Sequence, residues 1–248
     1  MLHSFLLIGQ SNMAGRGFLQ EAAPVDFSGI CLLRNGLWTP AFRPFNPDRG
    51  FSGVNLAESF AEAYAAAHDA QVGIIACADG GTALSQWMPG QPLYENAVFQ
   101  AKLAMRSSRL AGILWHQGES DMAPELWPQY EEKFRVFLHA LRRDLGAEAV
   151  PFLAGGLGEF LEHCRLLSEE KRPNYVKVNA ALEKVAETEP QMRFVSAQSL
   201  GANPDLLHFS AAGLHEFGLR YFAAYETLPQ AFAGGEAAQG ARTMLESL

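Results

Sequence analysis

The chain has 248 residues, is 48% hydrophobic and carries a formal charge of −8. That length can close a single α/β domain around a full core without disulfides or metals to staple it. The acidic balance, with no basic cluster to offset it, excludes non-specific binding to nucleic acid or to an anionic membrane surface.

The apolar run Phe5-Leu6-Leu7-Ile8 reads as a buried first strand, and it breaks into Gly9-Gln10-Ser11-Asn12-Met13. Ile30-Cys31-Leu32-Leu33 is a short second strand, followed by a Pro-, Gly- and Asn-rich loop over 39–53. Residues 56–68 have helical spacing, with Asn55 as an N-cap. Val72-Gly73-Ile74-Ile75-Ala76 is a buried strand ending in Asp79-Gly80-Gly81-Thr82. A helix over 94–107 leads to the strand Ile113-Leu114-Trp115. Residues 127–145 form an amphipathic helix with Phe134, Phe137, Leu138 and Leu141 on one face. A strand over 151–154, a helix over 174–187, a short strand over 193–195 and a closing helix over 210–225 complete the series. Strands alternating with helices predict a parallel sheet covered on both faces, in one domain over 1–232. The small, polar residues 233–248 are expected to form a loose tail.

Three cysteines, Cys31, Cys77 and Cys164, are odd in number and widely spaced, which suits a reducing compartment. No Cys/His spacing supports a metal site, and no segment approaches the ~20 apolar residues of a membrane span. The N-terminal apolar run is too short for a signal core, so a cytoplasmic location is expected.

The polar signals fall at strand ends, where open α/β sheets bind ligands. Ser11 sits in the turn after the first strand, with the small residues Ala14, Gly15 and Gly17 behind it. Gly80-Gly81-Thr82 follows the third strand, and His116-Gln117-Gly118-Glu119-Ser120-Asp121 the fourth. Of the seven histidines, only His208 has an acid, Asp205, three residues earlier. That spacing lets a carboxylate reach Nδ1 on a tight turn and leaves Nε2 outward as a base.

Together, the Gly-Gln-Ser-Asn-Met turn, the Gly-Gly-Thr turn followed by Trp87, the segment from Trp115 to Asp121 and the terminal Asp-x-x-His resemble the SGNH hydrolases. Within that superfamily the chain is similar to the sialate O-acetylesterase and acetylxylan esterase branch. Gln10, where many relatives of the wider superfamily have Asp, and Gln117, where they have Asn, both suit this branch. The resemblance implies a three-layer α/β/α flavodoxin-like domain that hydrolyses O-acetyl esters, usually on carbohydrates, without a cofactor. It implies Ser11 as nucleophile, His208 as base and Asp205 as its orienting acid. The oxyanion donors implied are the N–H groups of Ser11 and Gly81 and the side-chain amide of Gln117. Glu119 either supports the histidine in place of Asp205 or braces the loops around it. Asp121 and His116 are expected to be structural.

Trp38, Phe51, Trp87 and Trp127 are candidates to stack on a sugar, and each is equally open to core packing; Trp87 is the foremost. The expected partner is a small-molecule or oligosaccharide acetyl ester, and the sequence leaves the oligomeric state open. Two alternatives remain: an SGNH esterase or thioesterase acting on other short acyl chains, and a non-catalytic flavodoxin-like module. The second would use the turn from Ser11 to Gly17 as an anion nest.

Overall fold

A computed structural model of the chain describes residues 1–235. Among the described residues, seven strands form one sheet in the order β3-β2-β4-β1-β5-β6-β7. The strands are β1 (Leu2–Gly9), β2 (Ile30–Arg34), β3 (Leu37–Pro40), β4 (Gln71–Ala76), β5 (Arg109–His116), β6 (Phe152–Gly155) and β7 (Met192–Val195). All neighbours are parallel except β2 and β3. β3 is the one departure from the expected all-parallel sheet. Asn35 and Gly36, at φ 51° and 79°, form the tight turn that lets the chain double back. β3 lies at the edge, where Pro40 costs no ladder hydrogen bond.

The helices are α1 (Ser11–Ala14), α2 (Ala57–His68), α3 (Pro92–Ala104), α4 (Tyr130–Leu145), α5 (Tyr175–Thr188) and α6 (Ala211–Tyr225). The pleat of β1 explains the three layers: Phe5 and Leu7 join the core under α2 and α6, while Leu6 and Ile8 join the one under α3, α4 and α5. All four side chains are fully buried.

Local chemistry sets the helix ends. The Oδ1 of Asn55 accepts the Ala57 N–H at 3.0 Å, and Glu58 reaches back to the Asn55 N–H at 3.2 Å, a reciprocal cap. Ser210 caps α6 through the Gly213 N–H. The helix expected to begin at 127 starts at Tyr130 instead, because Pro128 sits in a separate 3₁₀ turn ahead of it. Ala233, where the tail was expected to begin, is buried and exchanges two backbone hydrogen bonds with Leu110, at 2.8 and 3.0 Å. The rest of that tail, 236–248, lies outside the described residues.

Candidate active site

The strand-end segments singled out in the sequence meet at the C-terminal edge of the sheet, around β1 at its centre. Gly9 ends β1 at φ 130°, and a Cβ there would overlap the His116 carbonyl. Only glycine lets the two strand ends run this close. Gln10 then turns the chain, its N–H bonded to the His116 carbonyl at 2.8 Å, and Ser11 opens α1.

Ser11 Oγ lies 3.1 Å from Nε2 of His208. His208 Nδ1 lies 2.7 Å from Oδ2 of Asp205. The other oxygen of Asp205 accepts the N–H groups of Leu207 at 2.9 Å and His208 at 3.0 Å. One carboxylate thus shapes the turn and orients the ring that the turn carries. Burial alone would raise its pKa. The hydrogen bonds from the His208 ring and from the two N–H groups outweigh that and hold it below the usual carboxylate range. Leu206, inside this turn, is held at φ 52°, a strained setting for a branched side chain.

A cleft of about 400 Å³ opens at His208 and Asp205, walled by Arg16, Phe18, Phe51 and Asn203. A larger groove, about 560 Å³ and lined by Glu62, Asp69 and Gln71, lies at the opposite end of the strands and holds none of the residues singled out. Phe51 is 72% exposed, with the Arg16 guanidinium 5.2 Å from its ring centre. Of the four aromatic candidates, it is the one on the cleft wall.

Trp87 is fully buried. Its ring meets Trp115 edge-on at 5.7 Å, and its Nε1 donates to Thr82 at 3.0 Å. The expectation that it lines the pocket is therefore corrected: it is core, held under the Gly-Gly-Thr turn. Trp38 packs on Gly73, and Lys177 covers Trp127.

Gln117 is also fully buried, and its amide nitrogen donates to Asp121, to the Thr82 carbonyl at 3.0 Å and to Gln10 at 3.3 Å. An amide with both hydrogens engaged below the site has none to offer a developing oxyanion. That corrects its expected role. The backbone N–H groups of Ser11 and Gly81 make no hydrogen bond among the described residues. Gly81, at φ 81°, has open space where a Cβ would stand.

Glu119 does not reach His208. Its Oε1 accepts from Asn12 Nδ2 at 2.6 Å and lies 3.7 Å from His116 Nδ1, which places it among the bracing contacts. His116 is buried against Phe209 and Phe217, and burial lowers its pKa. Asp121 accepts the Leu84 N–H at 2.9 Å, and burial raises its pKa.

Sequence reasoning missed Asn12, Arg16 and Asp48. Arg16 and Asp48 form a two-pronged buried pair at 2.9 and 2.7 Å. Asp48 also accepts from Ser52 at 2.7 Å and from the Gly80 N–H at 2.9 Å. The loop over 39–53 thereby fixes the Gly80-Gly81 turn against the serine turn. Asn46 helps by bonding Ala78 through both its N–H and its carbonyl. The one available signal was three polar residues, Asn46, Asp48 and Ser52, in a loop otherwise free of pattern.

Residues 1–227 match the family model described as carbohydrate esterase, sialic acid-specific acetylesterase. The chain belongs to this family. A probable carbohydrate esterase of Arabidopsis thaliana is 30% identical over 173 residues, which span 60% of this chain and 66% of that relative. The X-ray structure of that plant protein superposes with a TM-score of 0.79 at 27% identity, covering 91% of this chain and 98% of that one. NanS gives a TM-score of 0.71 at 18% identity, over 91% and 97% of the two chains. A carbohydrate acetylesterase from Xanthomonas citri gives 0.65 at 18% identity, over 91% of this chain and 56% of that one. The last two share the fold with this member of the carbohydrate esterase family. They support the SGNH-type α/β/α architecture. The anion-nest alternative fits less well, because α1 has only four residues and little macrodipole to offer.

Proposed function

We propose that the protein is a serine esterase that removes O-acetyl groups from carbohydrates through an acetyl-enzyme. The observation that carries this reading is the continuous hydrogen-bonded path from Ser11 Oγ through His208 to Asp205 at the lip of the cleft. A neutral serine is a weak nucleophile, so His208 Nε2 takes the hydroxyl proton as Oγ attacks the acetyl carbon. The resulting imidazolium is stabilised by Asp205, whose carboxylate stays ionised. The free N–H groups of Ser11 and Gly81 are the donors for the oxyanion. As the intermediate collapses, the ester C–O bond breaks and the imidazolium gives its proton to the departing sugar oxygen. Water then repeats the sequence on the acetyl-enzyme, releasing acetate and restoring Ser11.

The test is acetate release from a panel of O-acetylated monosaccharides, sialic acids and xylo-oligosaccharides, beside an aryl ester series from acetate to octanoate. The expected result is release from at least one acetylated sugar, with aryl acetate well ahead of butyrate, and none with Ser11→Ala. Octanoate turned over as fast as acetate, with no acetylated sugar cleaved, would sink the carbohydrate reading.

A further inference from the structure

The residue after the nucleophile grips the base from both sides. Asn12 is 1% exposed, and its amide spans the turn that carries His208. Its Oδ1 accepts the Phe209 N–H at 3.1 Å, and its Nδ2 donates to the Leu207 carbonyl at 3.2 Å. These peptide groups flank His208. The remaining Nδ2 hydrogen goes to Oε1 of Glu119 at 2.6 Å.

An asparagine amide can be seated either way round, with oxygen and nitrogen exchanged. Glu119 Oε1 lies 2.6 Å from Asn12 Nδ2, and this contact selects the nitrogen end of Asn12 as the donor. Glu119 is buried, and its Oε2 has no hydrogen-bond partner among the described residues. Asn12 is therefore its side-chain donor, and each group fixes the other.

We propose that Asn12, oriented by Glu119, is a positioning residue that sets how closely His208 Nε2 approaches Ser11 Oγ. The inference rests on the serine-esterase reading above. Asp205 governs the rotation of the imidazole within its own turn. Asn12 governs where that whole turn stands relative to the serine turn, across 197 residues of chain. The turn needs such an external hold, because it contains Leu206 in a strained left-handed conformation. A shift of about 1 Å in a reacting group costs on the order of 10²-fold in rate.

Asn12→Asp keeps the side-chain shape and the acceptor facing Phe209. It removes both donors and sets a second carboxylate against Glu119. The expected result is a kcat lower by roughly 10- to 100-fold with KM within about twofold, and slower labelling of Ser11 by a fluorophosphonate. Combining it with Glu119→Gln exchanges amide and carboxylate, so a donor again joins the two positions. The double variant is expected to regain at least about fivefold in kcat over Asn12→Asp alone. Glu119→Gln alone replaces an acceptor with an amide that can turn either end toward Asn12, and is expected to lower kcat as well, by less than Asn12→Asp does. Asn12→Ser, made in parallel, decides the matter if Asn12→Asp does not fold: its kcat should fall likewise, with no recovery on adding Glu119→Gln.

A folded Asn12 variant with a lowered melting temperature but normal kcat and labelling rate would make the residue merely structural. A loss confined to KM would place it in substrate binding. Either result overturns the proposal. Activity surviving in Ser11→Ala or His208→Ala would instead overturn the esterase mechanism beneath it.

Discussion

Asp205 holds His208 through both of its oxygens: Oδ2 meets the ring Nδ1 at 2.7 Å, and Oδ1 takes the backbone N–H of the same histidine at 3.0 Å. Tautomer and backbone are locked by one side chain. Asp205→Asn leaves the amide oxygen as an acceptor but favours the wrong imidazole tautomer. The expected loss is up to about 10⁴ in kcat with little change in KM, measured on aryl acetate at saturation. A near-normal rate would remove Asp205 from the mechanism.

Asp48 sits beneath the Gly80-Gly81 turn with its side chain only 3% exposed, paired to Arg16. Burial alone would raise its pKa; the Arg16 and Ser52 hydrogen bonds, the Arg16 charge and the Gly80 N–H overcome this and hold it low. A carboxylate with a depressed native pKa stabilises the fold above its unfolded value, near pH 3.9, and that contribution is lost as pH falls through the native pKa. Asp48→Asn strands a buried guanidinium and should cost about 3–5 kcal/mol at neutral pH. Denaturant titrations at several pH values should show the gap to wild type closing below about pH 3.9. A gap independent of pH would mean that the ion pair is not its source.

Trp87 is assigned to the core, and its loss should read as stability rather than specificity. Trp87→Ala is expected to destabilise by about 3–5 kcal/mol, while KM for a small aryl acetate stays close to wild type. A raised KM in a protein of unchanged melting temperature would return Trp87 to the pocket.

Thiol reagents should leave the native enzyme active. Cys31, Cys77 and Cys164 are all buried and so shielded from reagents in the folded protein, and burial raises the Cys31 thiol and pushes that of Cys77 up to about 12. EDTA should be equally without effect, since no step in the proposed mechanism uses a metal. Rapid inactivation of folded protein by iodoacetamide or by the chelator would implicate a thiol or a metal ion.

What was legible in the sequence was local. Ser11 announces itself by a buried strand breaking into a polar turn, and Asp205 by its three-residue spacing from His208. The layer order followed from alternating apolar runs. The hairpin to β3 was missed although Asn35-Gly36 marks its turn, because Leu37-Trp38-Thr39-Pro40 is short and ends in proline. Gln117 was placed correctly at a strand end, but chain position does not say whether a side chain points into the cleft or beneath it. The answer depends on Asp121, Thr82 and Gln10, which reach it from three segments. Asn12 was hidden for the same reason: its partners are Glu119, Leu207 and Phe209, far off in sequence.

The Ser11–His208 contact joins the first strand's turn to the loop before α6, across 197 residues. In the proposed mechanism, a chain growing on the ribosome therefore carries its serine early but lacks the base that would take its proton until residue 208 has emerged. Folding and activation are one event in this mechanism. On that mechanism, a nascent polypeptide without residue 208 is not expected to acylate itself on passing esters, and a premature stop before residue 208 is expected to yield an inactive product. Appearance of hydrolytic turnover during synthesis would thus clock the docking of α6 (Ala211–Tyr225) onto the sheet.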